Sequence, residues 1–152
     1  MQVIKIHQHR EVYKMNNSIT VSATQLGGRL LMSAIFIMAG VNKLGAGYAG
    51  TQGYMESMGV PGMLLPLVIA LEIGGGLAIA VGWQTRIAAF LLAGFSILSA
   101  IIFHANFADQ MQAISFMKNL AIAGGLLFLV AGSTHAWSLD ARSPSVRQPE
   151  MA

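Results

Sequence analysis

The chain has 152 residues, of which 55% are hydrophobic and only 10% are charged. Charged residues make up about 25% of soluble domains, so this composition excludes an ordinary soluble protein. The pI near 9.6 does not indicate a nucleic-acid partner, because the basic residues are scattered along the chain and form no basic stripe.

Four apolar stretches follow one another, and each is long enough to cross a bilayer as a helix of about 20 residues. They cover residues 26–45, 64–83, 87–104 and 115–135. The basic residues inside them lie near their ends, where long side chains can reach the headgroups. We therefore predict an all-α membrane protein built as a four-helix transmembrane bundle, with the lipid bilayer as its environment.

The segments outside the spans are expected to be polar tails and short connections. Residues 1–25 are polar and aperiodic and are predicted to form an N-terminal tail, with Met15 as an alternative start to Met1. Residues 26–140 form one transmembrane domain, and residues 141–152 are predicted to be a disordered tail. In the two outer loops, residues 51–58 and 106–114 have the spacing of short interfacial helices, the second capped by Asn106.

The distribution of basic residues predicts that both termini are cytoplasmic. This orientation places seven basic residues inside and two outside, as the positive-inside rule requires. Those inside are Lys5, Arg10, Lys14, Arg29, Arg86, Arg142 and Arg147, and those outside are Lys43 and Lys118. No apolar segment with a small-residue cleavage site opens the chain, so no cleaved signal peptide is expected.

One acidic residue, Glu72, lies in the middle of the second apolar stretch. A carboxylate there costs on the order of 3 kcal/mol on insertion scales, so it normally faces protein or water and has a partner. Helical spacing places Gly75, Gly76 and Ile79 on the same face as Glu72. Because small residues let membrane helices approach closely, we expect this face to point into the bundle.

The depth of each polar residue along its helix predicts which of them can best reach Glu72. Lys118 is the first choice, since its stem can span the remaining gap, whereas Lys43 and Arg29 are farther away. Asn119 is as deep as Lys118 but lies on a different face, and His104 is at the outer end of its helix. These polar residues either hold the bundle together or form a site for binding or proton handling, and the sequence leaves both interpretations open.

If the polar residues serve a ligand, we expect a cavity that opens toward the outer surface. It would be walled by glycines and roofed by large side chains of the outer loops, like other ligand sites with a few convergent polar groups. The walls would be Gly75, Gly76 and Gly125, and the roof Tyr54, Met55, Met58, Phe107 and Met111.

No metal or haem site is predicted. The histidines are His7, His9, His104 and His135, and no two of them are placed to hold a metal between helices. The absence of cysteine removes thiolate ligands and iron–sulfur clusters as well.

Several short motifs lie in order over residues 26–140. They are Arg29, Gly40 to Lys43, Tyr48-Ala49-Gly50, Met58-Gly59-Val60-Pro61-Gly62, Glu72-Ile73-Gly74-Gly75-Gly76, Gly82 with Thr85-Arg86, His104, Lys118-Asn119 and Ser138-Leu139-Asp140. In their order and spacing they resemble the motifs of the DoxX family of small bacterial inner-membrane proteins, and most closely those of its YqjF-like branch.

The resemblance implies an inner-membrane location and a link to quinone chemistry. The family is named after a subunit of a terminal quinol oxidase, and relatives are linked to thiosulfate:quinone oxidoreduction and redox-stress complexes. One hypothesis is therefore a quinone-associated redox component, acting with a redox partner subunit or as a homo-oligomer. The other is a non-enzymatic membrane protein that binds a small hydrophobic molecule or scaffolds a partner complex.

Overall fold

The computed structural model describes residues 2–132 and 137–142, and it describes side chains for residues 18–132 and 137–141. Five α-helices follow one another in this part of the chain: α1 (Gln2–Asn42), α2 (Ala46–Ser57), α3 (Leu65–Val81), α4 (Thr85–Phe103) and α5 (Gln110–Ala131). Single 3₁₀ turns precede α3 (Gly62–Leu64) and follow α5 (Asp140–Arg142), and no strand occurs within the described residues.

Four segments are long and apolar enough to cross a membrane, which confirms the predicted fold class. They are Ser18–Asn42, Gly62–Val81, Thr85–Phe103 and Gln110–Ala131. Each agrees with a predicted span to within a few residues, except that the first begins earlier. The predicted end of the fourth span, residue 135, lies outside the described residues.

The hydroxyl groups in the early part of the first span bond within the helix itself. Ser22 Oγ donates to the carbonyl of Ser18 at 2.8 Å, and Thr24 Oγ1 donates to that of Thr20 at 2.9 Å. Such bonds let Ser and Thr sit in a helix without exposing unpaired groups. Residues 1–25 were predicted to be an aperiodic tail, whereas α1 runs back without a break to Gln2.

The transmembrane helices run alternately up and down. Contacts of α1 with α3 show their antiparallel packing, since Gly40 lies against Ile73 while Gly76 lies against Ile37. The helices α3, α4 and α5 pack in sequence, and α5 also touches α1, which closes the bundle. We call the end of the bundle that carries Asn42, Leu65, Phe103 and Gln110 the Lys43 end, and the opposite end the Arg29 end.

The two loops at the Lys43 end differ from each other. The first contains α2, as predicted, and Tyr54 joins it to α4 by a ring contact with Phe103 at 5.6 Å between centroids. The predicted second short helix is wrong, because those residues lead directly into α5. The N-cap is Asp109 rather than Asn106: its carboxylate accepts from the backbone N–H of Met111 at 2.8 Å.

The core is made of small and branched side chains on the facing sides of the spans. Its buried members are Phe36, Ile79, Ala88, Ala89, Leu92, Ala93, Ala123 and Leu126. Glycines on the same faces bring the helices close: a Cβ placed on Gly76 would lie 2.8 Å from Ile37 Cγ1 and 3.2 Å from the backbone oxygen of Ser33. The predicted small-residue face of α3 therefore forms the contact with α1.

Two neighbouring glycines of α3 give a direct test of this packing. Gly76→Ala should destabilise the bundle by about 1–3 kcal/mol, because the new methyl overlaps a backbone atom that cannot move away alone. Gly74→Ala should leave stability unchanged or raise it, because nothing lies within 4 Å of its Cβ position. Thermal unfolding in detergent measures both, and equal effects of the two substitutions would contradict the packing of α1 on α3.

Candidate functional site

A buried ion pair joins α3 to the end of α1. Glu72 is only 3% exposed, and its Oε1 accepts a hydrogen bond from Lys43 Nζ at 2.9 Å. The same ammonium donates to the carbonyl of Ala39 at 3.2 Å, and the lysine side chain is 23% exposed. The other carboxylate oxygen, Oε2, is buried and has no hydrogen-bond partner among the described residues.

The partner of Glu72 is thus Lys43, and the prediction of Lys118 is wrong. Gly40 explains the choice, because its missing side chain lets α1 lie against α3: a Cβ there would be 3.2 Å from the Cβ of Glu72. The side chain of Lys43 then needs only to fold back over the last turn of α1. Lys118 is exposed on α5, whose buried side is marked instead by Ala123 and Leu126. The prediction from depth was wrong because the depth of a lysine does not show on which face of its helix it lies.

The remaining candidates at the Lys43 end have local partners instead of Glu72. His104 follows α4, and its Nδ1 lies 2.7 Å from Oε1 of Gln112 on α5. Asn119 Nδ2 donates to the carbonyl of Ser115 one turn earlier, at 3.0 Å. His104 therefore links α4 to α5, and Asn119 satisfies its amide within α5.

Arg29 belongs to a second polar cluster, at the opposite end of the bundle. It is 1% exposed, and its Nη2 donates to the carbonyl of Trp137. Its Nε and Nη1 have no hydrogen-bond partner in residues 18–132 or 137–141, and Nη1 packs against Gly82. Gly82 ends α3 with a φ of 71°, so this position demands glycine both for its backbone and for the space beside it.

Residues 137–142 form a strap across the turn between α3 and α4. Backbone bonds run from Leu139 N–H to the carbonyl of Val81 at 3.2 Å and from Asp140 N–H to that of Gly82 at 2.8 Å. The two carboxylate oxygens of Asp140 accept from the N–H groups of Gln84 at 2.8 Å and Thr85 at 2.9 Å, which caps α4. The strap thereby closes the Arg29 end.

The charge state of Asp140 follows from these contacts. Burial disfavours its ionised form, but hydrogen bonds from Thr85 and Gln84 and the nearby charge of Arg29 outweigh that effect. The pKa of Asp140 is consequently held below its ordinary value. Sequence reasoning missed this role, although Asp140 is the acidic residue of the Ser138-Leu139-Asp140 motif and Arg29 needs a counter-charge at the same end.

The expected glycine-walled cavity is wrong. A Cβ on Gly75 would meet Leu92 at 3.0 Å, and one on Gly125 would meet Met32 at 3.2 Å. Gly76 likewise lies against Ile37. Side chains of neighbouring helices therefore fill the space beside all three glycines. Of the expected roof, Met55 is buried in a small cluster with Leu65 and Ile69.

The described residues instead form two apolar grooves on the surface of the bundle. The α3 groove, of about 370 Å³, is lined by Leu44, Tyr48, Pro66, Ile69, Ala70, Ile73 and Gly74. The α5 groove, of about 450 Å³, is lined by Gln110, Ala113, Ile114, Met117, Lys118 and Ala121. Each has few polar atoms in its lining and faces the side of the bundle that meets lipid.

The described side chains do not include a group that could hold a metal ion. Within that part of the chain, no three His, Cys, Asp or Glu side chains lie together. The side chains of His7, His9 and His135, which the sequence did not predict to bind a metal, lie outside the described set.

The fold and its polar interior define a small four-span membrane protein with a buried ion pair. The DoxX family model matches residues 24–105, from within α1 to just past the end of α4. The chain is 55% identical over 115 residues to inner membrane protein YqjF of Escherichia coli (strain K12), covering 76% of this chain and 88% of that protein.

A second relative is inner membrane protein YphA of the same organism. It is 35% identical over 122 residues, covering 75% of this chain and 86% of YphA. No solved structure gives a significant match. The chain belongs to the DoxX family and is an inner-membrane protein.

The ion pair predicts a sharp difference between the two lysines. Lys43→Met should destabilise the bundle by about 3–5 kcal/mol, because it leaves the buried carboxylate of Glu72 without a counter-charge. Lys118→Met, the matched control, should leave thermal stability in detergent close to that of the wild type. Adding Glu72→Gln to Lys43→Met should restore part of the loss, whereas simple additivity would show that the two residues do not interact.

The strap predicts that two helix caps respond differently to the same substitution. Asp140→Asn should lower the melting temperature, because one of the two N–H groups then faces an amide and the charge beside Arg29 is lost; caps are worth about 0.5–2 kcal/mol. Asp109→Asn should change little, since a single oxygen of Asp109 accepts both of its bonds.

The contribution of Asp140 to the stability of the protein should decrease as the pH falls. Because the folded-state pKa of Asp140 is depressed, its contribution is complete above the ordinary carboxyl pKa of about 3.9 and is lost as pH falls through the lower folded value. Melting temperatures measured from pH 7 to pH 3 should converge for the wild type and Asp140→Asn only at the acidic end. A constant difference over that range would contradict the role assigned to the carboxylate.

Proposed function

We propose that the protein is a non-enzymatic membrane protein that binds a small hydrophobic molecule in the α3 groove. The observation that carries the proposal is the position of this groove beside the buried ion pair. Leu44, which follows Lys43, lines one wall, and Ile73, which follows Glu72, lines the other. Ligand sites combine an apolar surface with a few polar groups in this way.

The polar groups beside the groove can supply hydrogen bonds. An ammonium has three N–H donors, and Lys43 uses one on Ala39 and one on Glu72. The third is free in a side chain that is 23% exposed. Tyr48, whose side chain has a hydroxyl group, also lines the groove. The occupant that fits is therefore a largely apolar molecule with an acceptor oxygen, and a quinone has this chemistry.

A quinol-linked redox role is the second candidate, and the unpaired oxygen of Glu72 favours it. A buried carboxylate oxygen without a hydrogen-bond donor can accept a proton released beside it. The chain would then act as an accessory to a redox partner subunit that exchanges electrons, while Glu72 holds the proton. The close packing at Gly75, Gly76 and Gly125 favours binding on the α3 surface over binding between the helices.

Two glycine substitutions test binding in the α3 groove. Purified protein in detergent should be titrated with a short-chain ubiquinone analogue and followed by thermal shift. We expect Gly74→Leu to abolish the shift, because its side chain fills the groove. Gly94→Leu should retain it: this glycine of α4 also has nothing within 4 Å of its Cβ position but lies outside the groove.

The same titration separates the two candidate functions. Loss of the shift in both leucine variants, or in neither, would overturn the groove as the site. If Glu72→Gln binds the oxidised and the reduced analogue as the wild type does, with no change in proton uptake measured by calorimetry in two buffers, the redox role fails and simple binding stands.

A further inference from the structure

Lys118 differs from the other basic side chains that the structure describes. Arg29 donates to Trp137, Lys43 to Glu72, and Arg86 to the carbonyl of Gly132 at 2.9 Å. Lys118 makes no hydrogen bond or ion pair with any residue in 18–132 or 137–141. It is nevertheless exposed within a helix that is long and apolar enough to cross the membrane. Its charge therefore has to be met by something outside the described chain.

A groove surrounds this lysine and is otherwise almost entirely apolar. Gln110 lies at one end, Ala121 lies at the other, and Ala113 and Met117 lie between. The small alanine side chains create the depression along one face of α5. Eleven positions separate its ends, or roughly 16 Å at 1.5 Å per residue. That length accommodates a large part of one acyl chain.

The depth of Lys118 suits a headgroup contact. It lies eight positions after Gln110, or roughly 12 Å along the axis, and a lysine stem extends back toward the nearer membrane surface. An ammonium held there meets the phosphate of a lipid whose acyl chain lies in the groove. The leaflet concerned is the one at the Lys43 end of the bundle.

Within its described spans, a second copy of the chain offers no free carboxylate. The only carboxylate within the four candidate spans of the described chain is Glu72, which is buried and bound to Lys43. Outside the spans, Asp109 caps α5, Asp140 caps α4, and Glu56 lies on α2 rather than along the face of α5. A membrane phosphate is the anion that remains available along the face of α5.

We propose that the α5 groove is a binding site for one anionic phospholipid, with the phosphate on Lys118 and an acyl chain running inward along Met117 and Ala121. This site is separate from the α3 groove and does not depend on the function proposed for it. One lysine near an anionic headgroup contributes about a fivefold preference over a zwitterionic lipid.

Native mass spectrometry of the full chain tests this site by measuring retained lipid. Dioleoyl phosphatidylglycerol should bind as a single molecule about fivefold more tightly than dioleoyl phosphatidylcholine, which has the same acyl chains. Lys118→Gln should remove the preference, and Lys118→Arg should keep it. Arg86→Gln removes one positive charge outside the groove, so it should also keep the preference.

The groove itself is tested by a pair of substitutions on α5. Ala121→Leu should weaken binding of the anionic lipid with the charge intact, whereas Gly124→Leu should not, because Gly124 is outside the lining and has nothing within 4 Å of its Cβ position. The proposal is overturned if Lys118→Gln keeps the preference or if the wild type shows none. It is also overturned if Lys118→Gln converts a dimer to a monomer, since the occupant would then be a second copy.

Discussion

A carboxylate inside a membrane bundle must have a counter-charge, and the arrangement of α1 on α3 follows from that requirement. Glu72 is too deep to reach water, and its partner comes from the end of the preceding span, not from the middle of another helix. The pair can form only if the two backbones are close, which Gly40 allows. Packing and electrostatics thus depend on the same residue, since a side chain at position 40 would separate the charges as well as the helices.

The glycines of this chain are used for contact between helices, and this decides where a ligand can bind. In a bilayer no hydrophobic force draws apolar helices together, so close van der Waals packing has to hold the bundle. Gly75, Gly76 and Gly125 each receive a side chain from a neighbour. Space for small molecules is therefore found on the lipid-facing surface, where Gly74 and the alanines of α5 leave grooves.

The sequence was sufficient to predict the number and nature of the spans, because hydropathy and length decide them. It also identified Glu72 as a residue that needs a partner. It did not identify the partner, because the choice between Lys43 and Lys118 depends on helix rotation and on the close approach at Gly40. The depth of a residue along its helix reports neither the rotation of that helix nor the distance between the two backbones.

Other differences have local physical causes. Asp109 caps α5 because its carboxylate reaches the N–H groups two and three positions ahead. Asn106 instead accepts from Ala108 within the loop. The cap on α4 lies 55 residues away in sequence. No periodicity reveals such a contact, although a lone arginine opposite a lone aspartate could have suggested it. The first two residues of the predicted disordered tail, 141–152, belong to the 3₁₀ turn Asp140–Arg142, and the others lie outside the described residues.

The strap has a consequence for how the chain acquires its topology. Asp140, which accepts the bond from the N–H of Thr85, is synthesised 55 residues later, after α5. Asp140 can reach that turn only when α5 has crossed the membrane, because otherwise the carboxylate would be on the opposite side of the bilayer. The strap therefore stabilises only the arrangement in which all four spans are inserted. A chain with three spans in place of four would lack Asp140 at this end of the bundle. Arg29 would then be buried without a nearby anion and α4 would lack its cap, so this chain would be less stable than the four-span protein.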